Sequence, residues 1–454
     1  MRLLTATEQR FACGPDRHVY VDGPAKYSAW ANYLEAFDEV VVLARVATAG
    51  HVGAESARVA ATRDVDAERA REANATRAGE PPRVAADARA CREEARADGP
   101  SVSFFALPDY RGPWEYLRRL SQLKARVREA VESCDAYILR VPGLVGRLVW
   151  HELRRCGKPY ALEVVGDPWD ALGPGTWRSA MRPVFRRVAA RDLKEMCRGA
   201  MAVHYVTQSS LQRRYPPAKN AYAVGFSDAL MDSAFASAAE MNERFRRIDD
   251  VAGTNSARRA FRAGFVGSLA QMYKGPDVLL RAASVCRARG LNIETALAGD
   301  GRYAAAMKAL AKQLGIEERT RFLGQLAFGK AVFDFLDSVD LFVMPSYAEG
   351  LPRALLEAMA RGCPCVGSDV GGIPELLDAA EMAPAGDAKA LAEKIMEVAA
   401  SGARLKEMAA RNLEKARRFS PELLREVRGE FCRFVRGHSG ETLEPQMIPK
   451  LRDR

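Results

Sequence analysis

The sequence predicts an α/β protein built as two doubly wound domains that face each other across a cleft. A chain of 454 residues is too long for one hydrophobic core and suits two domains of about 200 residues each. Apolar runs of strand length alternate almost throughout with segments of helical periodicity, the pattern of parallel sheets joined by crossover helices. One run, Val40 to Val46, is nearly continuous in apolar residues, as expected of a strand covered on both faces. Hydrophobic residues at 48% and charged residues at 28% are ordinary for a globular chain. No stretch is apolar enough to span a bilayer, and the opening MRLLTATEQRFACGPD lacks the apolar centre of a signal peptide. The nine cysteines are dispersed apart from Cys363 and Cys365, which fits neither a disulfide framework nor a zinc site and implies reduced, cytoplasmic thiols.

The first domain is expected over residues 1–220. A strand at Met1–Thr5 leads into a loop, Gly14 to Pro24, that contains Asp22 and Gly23. A helix follows from about Lys26 to Phe37, with Tyr27, Trp30, Tyr33, Leu34 and Phe37 at helical spacing, and then the Val40–Val46 strand. Residues 47–100 contain no Leu, Ile, Phe, Met, Trp or Tyr; they bury too little apolar surface to offset ordering entropy and are read as an insertion. Asp64-Val65-Asp66 lies there, but low-complexity sequence offers no strand to hold a metal site. Strands follow at Ser101–Leu107, Tyr137–Val141, Pro159–Val165 and Met201–Thr207, with helices to about Cys134, over Val145–Cys156 and over Thr176–Arg198. Asp167 stands at a strand end, where doubly wound folds place ligands; a sugar or acceptor ligand and a loop cap are its two readings. His204 reads as a packed strand residue. Residues 221–262 are expected to connect the domains.

The second domain is expected over 263–419, followed by a crossover helix at 420–436 and a tail at 437–454. Its strands begin at Ala263–Leu269, and the turn ending Gly267-Ser268 lets a phosphate approach the backbone. Lys274 follows as a compact cation suited to a diphosphate. The central stretch is LFVMPSYAEGLPRALLEAMARGCPCVGSDVGGIPELL, from Leu341 to Leu377. Gly350 is expected as a helix N-cap with Pro352 in the first turn and Gly362 closing the helix. The positive end of that helix is an anion site. Glu349 before it and Glu357 two turns in form a carboxylate pair; the plainer reading is a dipole partner and a solvated glutamate. Val370-Gly371-Gly372-Ile373-Pro374-Glu375 is a second glycine turn before a helix.

Pro-Ser-x-x-Glu-Gly-x-Pro followed by Glu-Ala-Met-Ala-x-Gly-x-Pro resembles the retaining, nucleotide-sugar-dependent glycosyltransferases of family 4, whose signature is two glutamates separated by seven residues. The resemblance is strong over Gly264 to Leu377 and weak over the N-terminal half. It implies the GT-B fold, with a nucleotide-diphosphate sugar on the second domain and a hydroxyl acceptor on the first. Lys274 and the backbone N–H groups of Gly350 and Leu351 would hold the diphosphate, aided by the Gly267-Ser268 turn and Gly299. Glu357 would accept from the ribose hydroxyls, Glu349 would meet the sugar near its reacting end, and Phe322-Leu323-Gly324-Gln325 would line the base. Relatives often carry arginine where Ser268 stands, and histidine where Asp167 is the nearest polar residue. The first-strand loop lacks their glycine pair, which leaves Asp22 and Gly23 as acceptor-side candidates. Relatives retain the anomeric configuration with no agreed protein nucleophile. Lys274 and the helix end supply the positive charge, so no metal and no cofactor beyond the donor is expected.

The net charge of +10 is uneven, and the segment from Arg111 to Lys219 is strongly basic. No RNP, zinc-finger or helix-turn-helix pattern supports nucleic acid; attraction to an anionic inner leaflet fits as well, beside a merely solvated basic face. A lipid-linked or cell-surface polysaccharide intermediate is therefore the expected acceptor, handled in the cytoplasm or at the inner membrane. Gly299-Asp300-Gly301-Arg302-Tyr303-Ala304 has the form of a dinucleotide fingerprint, but the next strand lacks the acidic residue that a nicotinamide oxidoreductase needs. Two rival functions share the expected fold: a sugar epimerase or phosphorylase, and a non-catalytic nucleotide-sugar-binding subunit.

Overall fold

The computed structural model describes residues 1–14, 16–21, 25–47, 95–110, 112–173, 181–227, 235–252 and 259–440. Asp22, Gly23 and the Asp64-Val65-Asp66 triplet lie outside them. The first sheet contains β1 (Arg2–Cys13), β2 (Val19–Tyr20), β3 (Glu39–Ala47), β4 (Val102–Leu107), β5 (Ala136–Val141), β6 (Ala161–Val164), β7 (Ala202–Tyr205) and β8 (Tyr222–Gly225). Their order is β4-β3-β1-β5-β6-β7-β8, all parallel, with β2 pairing antiparallel to β1. The second sheet is β9 (Phe261–Val266), β10 (Ile293–Ala298), β11 (Thr320–Gly324), β12 (Leu341–Met344), β13 (Cys365–Ser368) and β14 (Met382–Ala383), in the order β11-β10-β9-β12-β13-β14. Each chain path runs outward from a central strand to one edge and then back past it, so crossover helices cover both faces.

Several boundaries differ from the sequence reading. β1 continues to Cys13 because an irregularity between Ala6 and Arg10 resets its pairing with β3, which carries the strand past the polar residues after Thr5. The first helix is regular only over Tyr27–Ala31 and tightens into a 3₁₀ turn at Asn32–Glu35. Residues 95–100 are not part of an unanchored insertion. Ala97 is fully buried, and Asp98 accepts from the Val19 N–H at 3.0 Å while facing His18 Nδ1 at 2.9 Å.

The connection between domains is also shorter than 221–262. Tyr222–Gly225 pairs with β7 as the edge strand of the first sheet. Helix Ala238–Ala252 belongs to the second domain, where buried Arg244 donates to the Leu336 and Val339 carbonyls at 3.0 and 3.1 Å. Helix Pro421–His438 packs on the first domain, burying Phe431 and stacking Phe434 on Tyr222 at 4.7 Å. On the opposite face, the helices Gly112–Glu132, Leu144–Cys156 and Arg182–Gly199 share one core with the sheet, through Leu123, Val149 and Leu193.

Candidate active site

The two sheets present their carboxyl edges to a cavity of about 420 Å³. The first domain lines it with Val165, Gly166, Asp167, Ala171 and Val206; the second contributes Lys274, Glu349, Gly350, Leu351, Pro352 and Arg353 among others. At its centre Lys274 donates to both carboxylate oxygens of Glu349, at 2.8 and 2.9 Å, and the Ser346 hydroxyl donates to the same group at 2.6 Å. Glu349 is only 8% exposed, and an ion removed this far from water needs its partners. Burial pulls the Lys274 ammonium down, but the Glu349 carboxylate outweighs it and raises the pKa above the ordinary lysine value.

Two glycines let these loops meet. Gly275 has φ +68°, and a Cβ there would stand 2.0 Å from the Pro345 carbonyl; with Tyr347 N–H donating to the Tyr273 carbonyl at 2.7 Å, the Lys274 and Glu349 loops are locked side by side. Gly371 has φ +57°, and a Cβ there would fall 2.0 Å from the Glu349 carbonyl. The second glycine turn thus forms the floor under Glu349, tied by the Gly372 N–H to the Gly350 carbonyl at 2.8 Å.

The helix after Glu349 starts later than its sequence suggests. It spans Arg353–Ala360, and Pro352, with ψ 112°, is the N-cap in place of Gly350. A proline disfavours helical geometry in the residue before it, so Leu351 stays outside the helix. Gly362, at φ +60°, closes it as expected. Arg353, which the sequence reading passed over, opens the helix and faces the cavity; it pairs with Glu357 at 3.2 Å and lies over the Phe328 ring at 4.8 Å. Its spacing of four from Glu357 was the available signal. Burial raises the Glu357 pKa, and Arg353 opposes the shift.

Asp167 lines the cavity, yet its carboxylate is occupied by the protein. It accepts from the Trp169 N–H at 2.8 Å, from the Tyr215 hydroxyl at 2.5 Å and from Arg214. These are the contacts of a loop cap, at the start of helix Pro168–Ala171. His204 is a core residue, stacked on Phe226 at 3.5 Å.

Gly267, Ser268, Gly299 and Phe322–Gln325 sit at the carboxyl ends of β9, β10 and β11, beside the cavity lining rather than in it. Their loops are joined: Gly267 N–H donates to the Ala298 carbonyl at 2.9 Å, and Gly299 N–H to the Gly324 carbonyl at 2.7 Å. The glycines of the fingerprint-like Gly299-Asp300-Gly301 thus serve close contact between loops: a Cβ on Gly299 would fall 1.9 Å from the Gly267 carbonyl. The Ser268 hydroxyl accepts from the Ala270 N–H at 3.1 Å. Among the described residues, no group of three or more His, Cys, Asp or Glu is placed to hold a metal ion.

The two domains also touch at a carboxylate. Glu375, on the second domain, accepts from the backbone N–H groups of Gln208, Ser209 and Ser210 at 2.7–2.9 Å and from both serine hydroxyls. It thereby caps the short helix Ser210–Arg214 from across the domain boundary.

Residues 260–401 match the model of the family described as "Glycosyl transferases group 1". The C-terminal domain is similar to glycosyl transferases of group 1. Protein CapJ of Staphylococcus aureus is 25% identical over 281 residues, 61% of this chain and 66% of that protein. The amylovoran biosynthesis glycosyltransferase AmsK of Erwinia amylovora is 34% identical over 128 residues, 26% of this chain and 31% of its own length. The chain thus covers less than two thirds of either relative. Among solved structures, HepE of Anabaena, crystallised with UDP and glucose, superposes with a TM-score of 0.59 at 17% identity, over 94% of this chain and 98% of that one. The two facing parallel sheets are the GT-B architecture that the sequence led us to expect.

Proposed function

We propose that the chain is a retaining glycosyltransferase that moves a sugar from a nucleotide-diphosphate sugar to a hydroxyl on a lipid-linked or cell-surface polysaccharide intermediate. The observation that carries this reading is the Lys274–Glu349 pair, buried in a cleft between two parallel sheets and inside the segment that matches the transferase family. Breaking a sugar–phosphate bond builds negative charge on the departing diphosphate and positive charge on the sugar ring. Lys274 and the N–H groups of Gly350 and Leu351 answer the first charge, and oriented donors of this kind typically contribute about 10²–10³ in rate each. Glu349 answers the second, as carboxylates do beside oxocarbenium-like rings. Arg353 is the second cation at the site where relatives use the position of Ser268, and Glu357 takes the ribose hydroxyls. Asp167 shapes the acceptor wall as a positioning residue.

The reading requires no metal or further cofactor. The HepE complex with UDP and glucose and the name of AmsK, an amylovoran biosynthesis glycosyltransferase, support the donor class and the setting. No helix of the described residues is long and apolar enough to cross a membrane; the reading places the chain on the cytoplasmic side, where nucleotide sugars are available. Thermal shifts with UDP-, GDP- and ADP-sugars identify the donor, and NMR of the product then reports the anomeric configuration. Retention is expected. Inversion would remove the mechanism, and donor binding without turnover on any lipid-linked acceptor would make the chain a non-catalytic subunit.

A further inference from the structure

Eleven large apolar side chains are exposed among the described residues, and six of them gather in one region of the first domain. Trp114, 77% exposed, and Leu117 lie on helix Gly112–Glu132; Leu144 opens helix Leu144–Cys156; Val184, Phe185 and Val188 lie on helix Arg182–Gly199. Each falls in the first two turns of its helix. The three helices follow β4, β5 and β6 and cover the same face of the sheet. Arg128 joins the first to the middle helix through Glu152 at 3.5 Å, and Arg147 joins the middle to the third through Asp192 at 2.5 Å. Helices that follow parallel strands begin at the carboxyl edge, so the apolar cluster lies at the edge that also carries the cleft.

Cations accompany it. Arg118, Arg119, Arg182 and Arg187 make no ion pair among the described residues. Between the second and third helices runs an apolar groove of about 260 Å³, lined by Leu144, Leu172, Leu193 and Met196; Ala171 lines both this groove and the cleft. An exposed tryptophan and aliphatic side chains among unpaired arginines are the composition of a surface that inserts shallowly at an anionic interface.

We propose that these three helix starts seat the chain on an anionic lipid bilayer, with the apolar groove leading from the bilayer surface to the acceptor side of the cleft. Charge complementarity selects this occupant: two copies of the chain docked through the same face would oppose arginine to arginine. The inference rests on the proposed function only for its orientation, which delivers a membrane-held acceptor to the sugar.

The test is co-sedimentation of the purified full chain with vesicles of phosphatidylcholine alone or mixed with phosphatidylglycerol. Binding is expected to the mixed vesicles only and to weaken as salt screens the arginines. Arg118→Glu and Arg187→Glu are each expected to lower the apparent affinity at least roughly fivefold, and the pair Val184→Glu/Phe185→Glu to abolish it. Each variant is checked by its thermal transition and by its shift with a UDP-sugar; Trp114→Ala, at the most exposed position, serves if the double variant fails to fold. Equal binding to neutral vesicles, or undiminished binding of the variants, overturns the proposal. So does a concentration-dependent dimer lost in Val184→Glu/Phe185→Glu without vesicle binding, which would give the face to a second copy. Vesicle binding needs no catalysis, so a chain that binds vesicles but transfers nothing contradicts the proposed reaction alone. A chain that transfers to a soluble acceptor without binding vesicles contradicts this face alone.

Discussion

Lys274 and Glu349 meet at 2.8 Å, so removing either leaves the other's charge behind, and kinetic constants must separate chemistry from structure. Glu349→Ala is expected to lower kcat by about 10²–10³ while donor affinity stays within a few fold, because the ring charge it faces develops only in the transition state. Lys274→Ala is expected to lower kcat and to raise the donor KM, since its diphosphate partner is present in both states. If Glu349→Ala transfers sugar within about threefold of the parent, a barrier change under ~1 kcal/mol, the role given to it is wrong. Glu357 adds a pH dependence. Burial keeps its carboxyl protonated to a higher pH than an exposed glutamate, and the carboxylate accepts from hydroxyls more strongly than the neutral acid. Donor affinity should therefore fall on acidification while the pH is still above the ordinary glutamate value, and Glu357→Gln should remove that inflection. A pH-independent donor dissociation constant in the parent would break the assignment. Lys274 and Glu349 stood out in the sequence through the motif that resembles a known family, and the structure brings the two together in the cleft. Asp167 was half legible: an aspartate before Pro-Trp caps a turn as readily as it binds a ligand, and only Tyr215 and Arg214, 48 and 47 residues away, show which its carboxylate does.

At the scale of elements, caps supplied from far along the chain are what sequence reading missed. Thr207, next to the helix Ser210–Arg214, accepts from the Leu211 N–H at 3.1 Å, but the N–H groups of Gln208, Ser209 and Ser210 end on Glu375, more than 160 residues later. Glu375→Ala should lower sugar transfer by roughly tenfold or more, given about 1–2 kcal/mol for a lost cap with charged hydrogen bonds. UDP affinity, which on the proposed reading rests on the second domain, should hold within about twofold on the same scale. Calorimetry of UDP beside steady-state transfer checks this; an equal loss in both would make Glu375 a fold residue of the second domain only. A second long-range clamp is pH-sensitive. Glu240, at the start of helix Ala238–Ala252, is held down to about 2 by its hydrogen bond from Arg361. Its folded value lies below its unfolded one, so its contribution is present above about pH 4.5 and is lost as pH falls towards 2. Glu240→Gln should flatten that part of the acid-unfolding curve, and an unchanged curve would show the pair to be too exposed to matter.

For the whole molecule, the order of strands and helices was readable because the central parallel strands are buried apolar runs and the crossover helices keep one apolar stripe. The limits of the domains were not, because composition does not show what a polar segment pairs with. Tyr222–Gly225 looks like a linker until β7 is seen beside it, and residues 95–100 look like the end of the insertion until Ala97 and Asp98 are seen against β2. This difference is measurable. Residues 48–94 carry no Leu, Ile, Phe, Met, Trp or Tyr, and their removal should cost the core little. Replacing them with a flexible Gly/Ser linker of about twelve residues, with a random-coil span of about 20 Å, should leave the thermal transition close to that of the full chain. Extending the deletion through Asp98 should lower it by several degrees or more. That deletion strips β2 of the carbonyl of Ala95, the N–H of Ala97 and the carboxylate that holds His18 and Val19, at about 1 kcal/mol for each hydrogen bond lost. Differential scanning calorimetry of the two deletions side by side decides the matter. If the shorter deletion melts as early as the longer one, residues 48–94 contribute to the fold, and the division between core and insertion drawn at Ala95 is wrong.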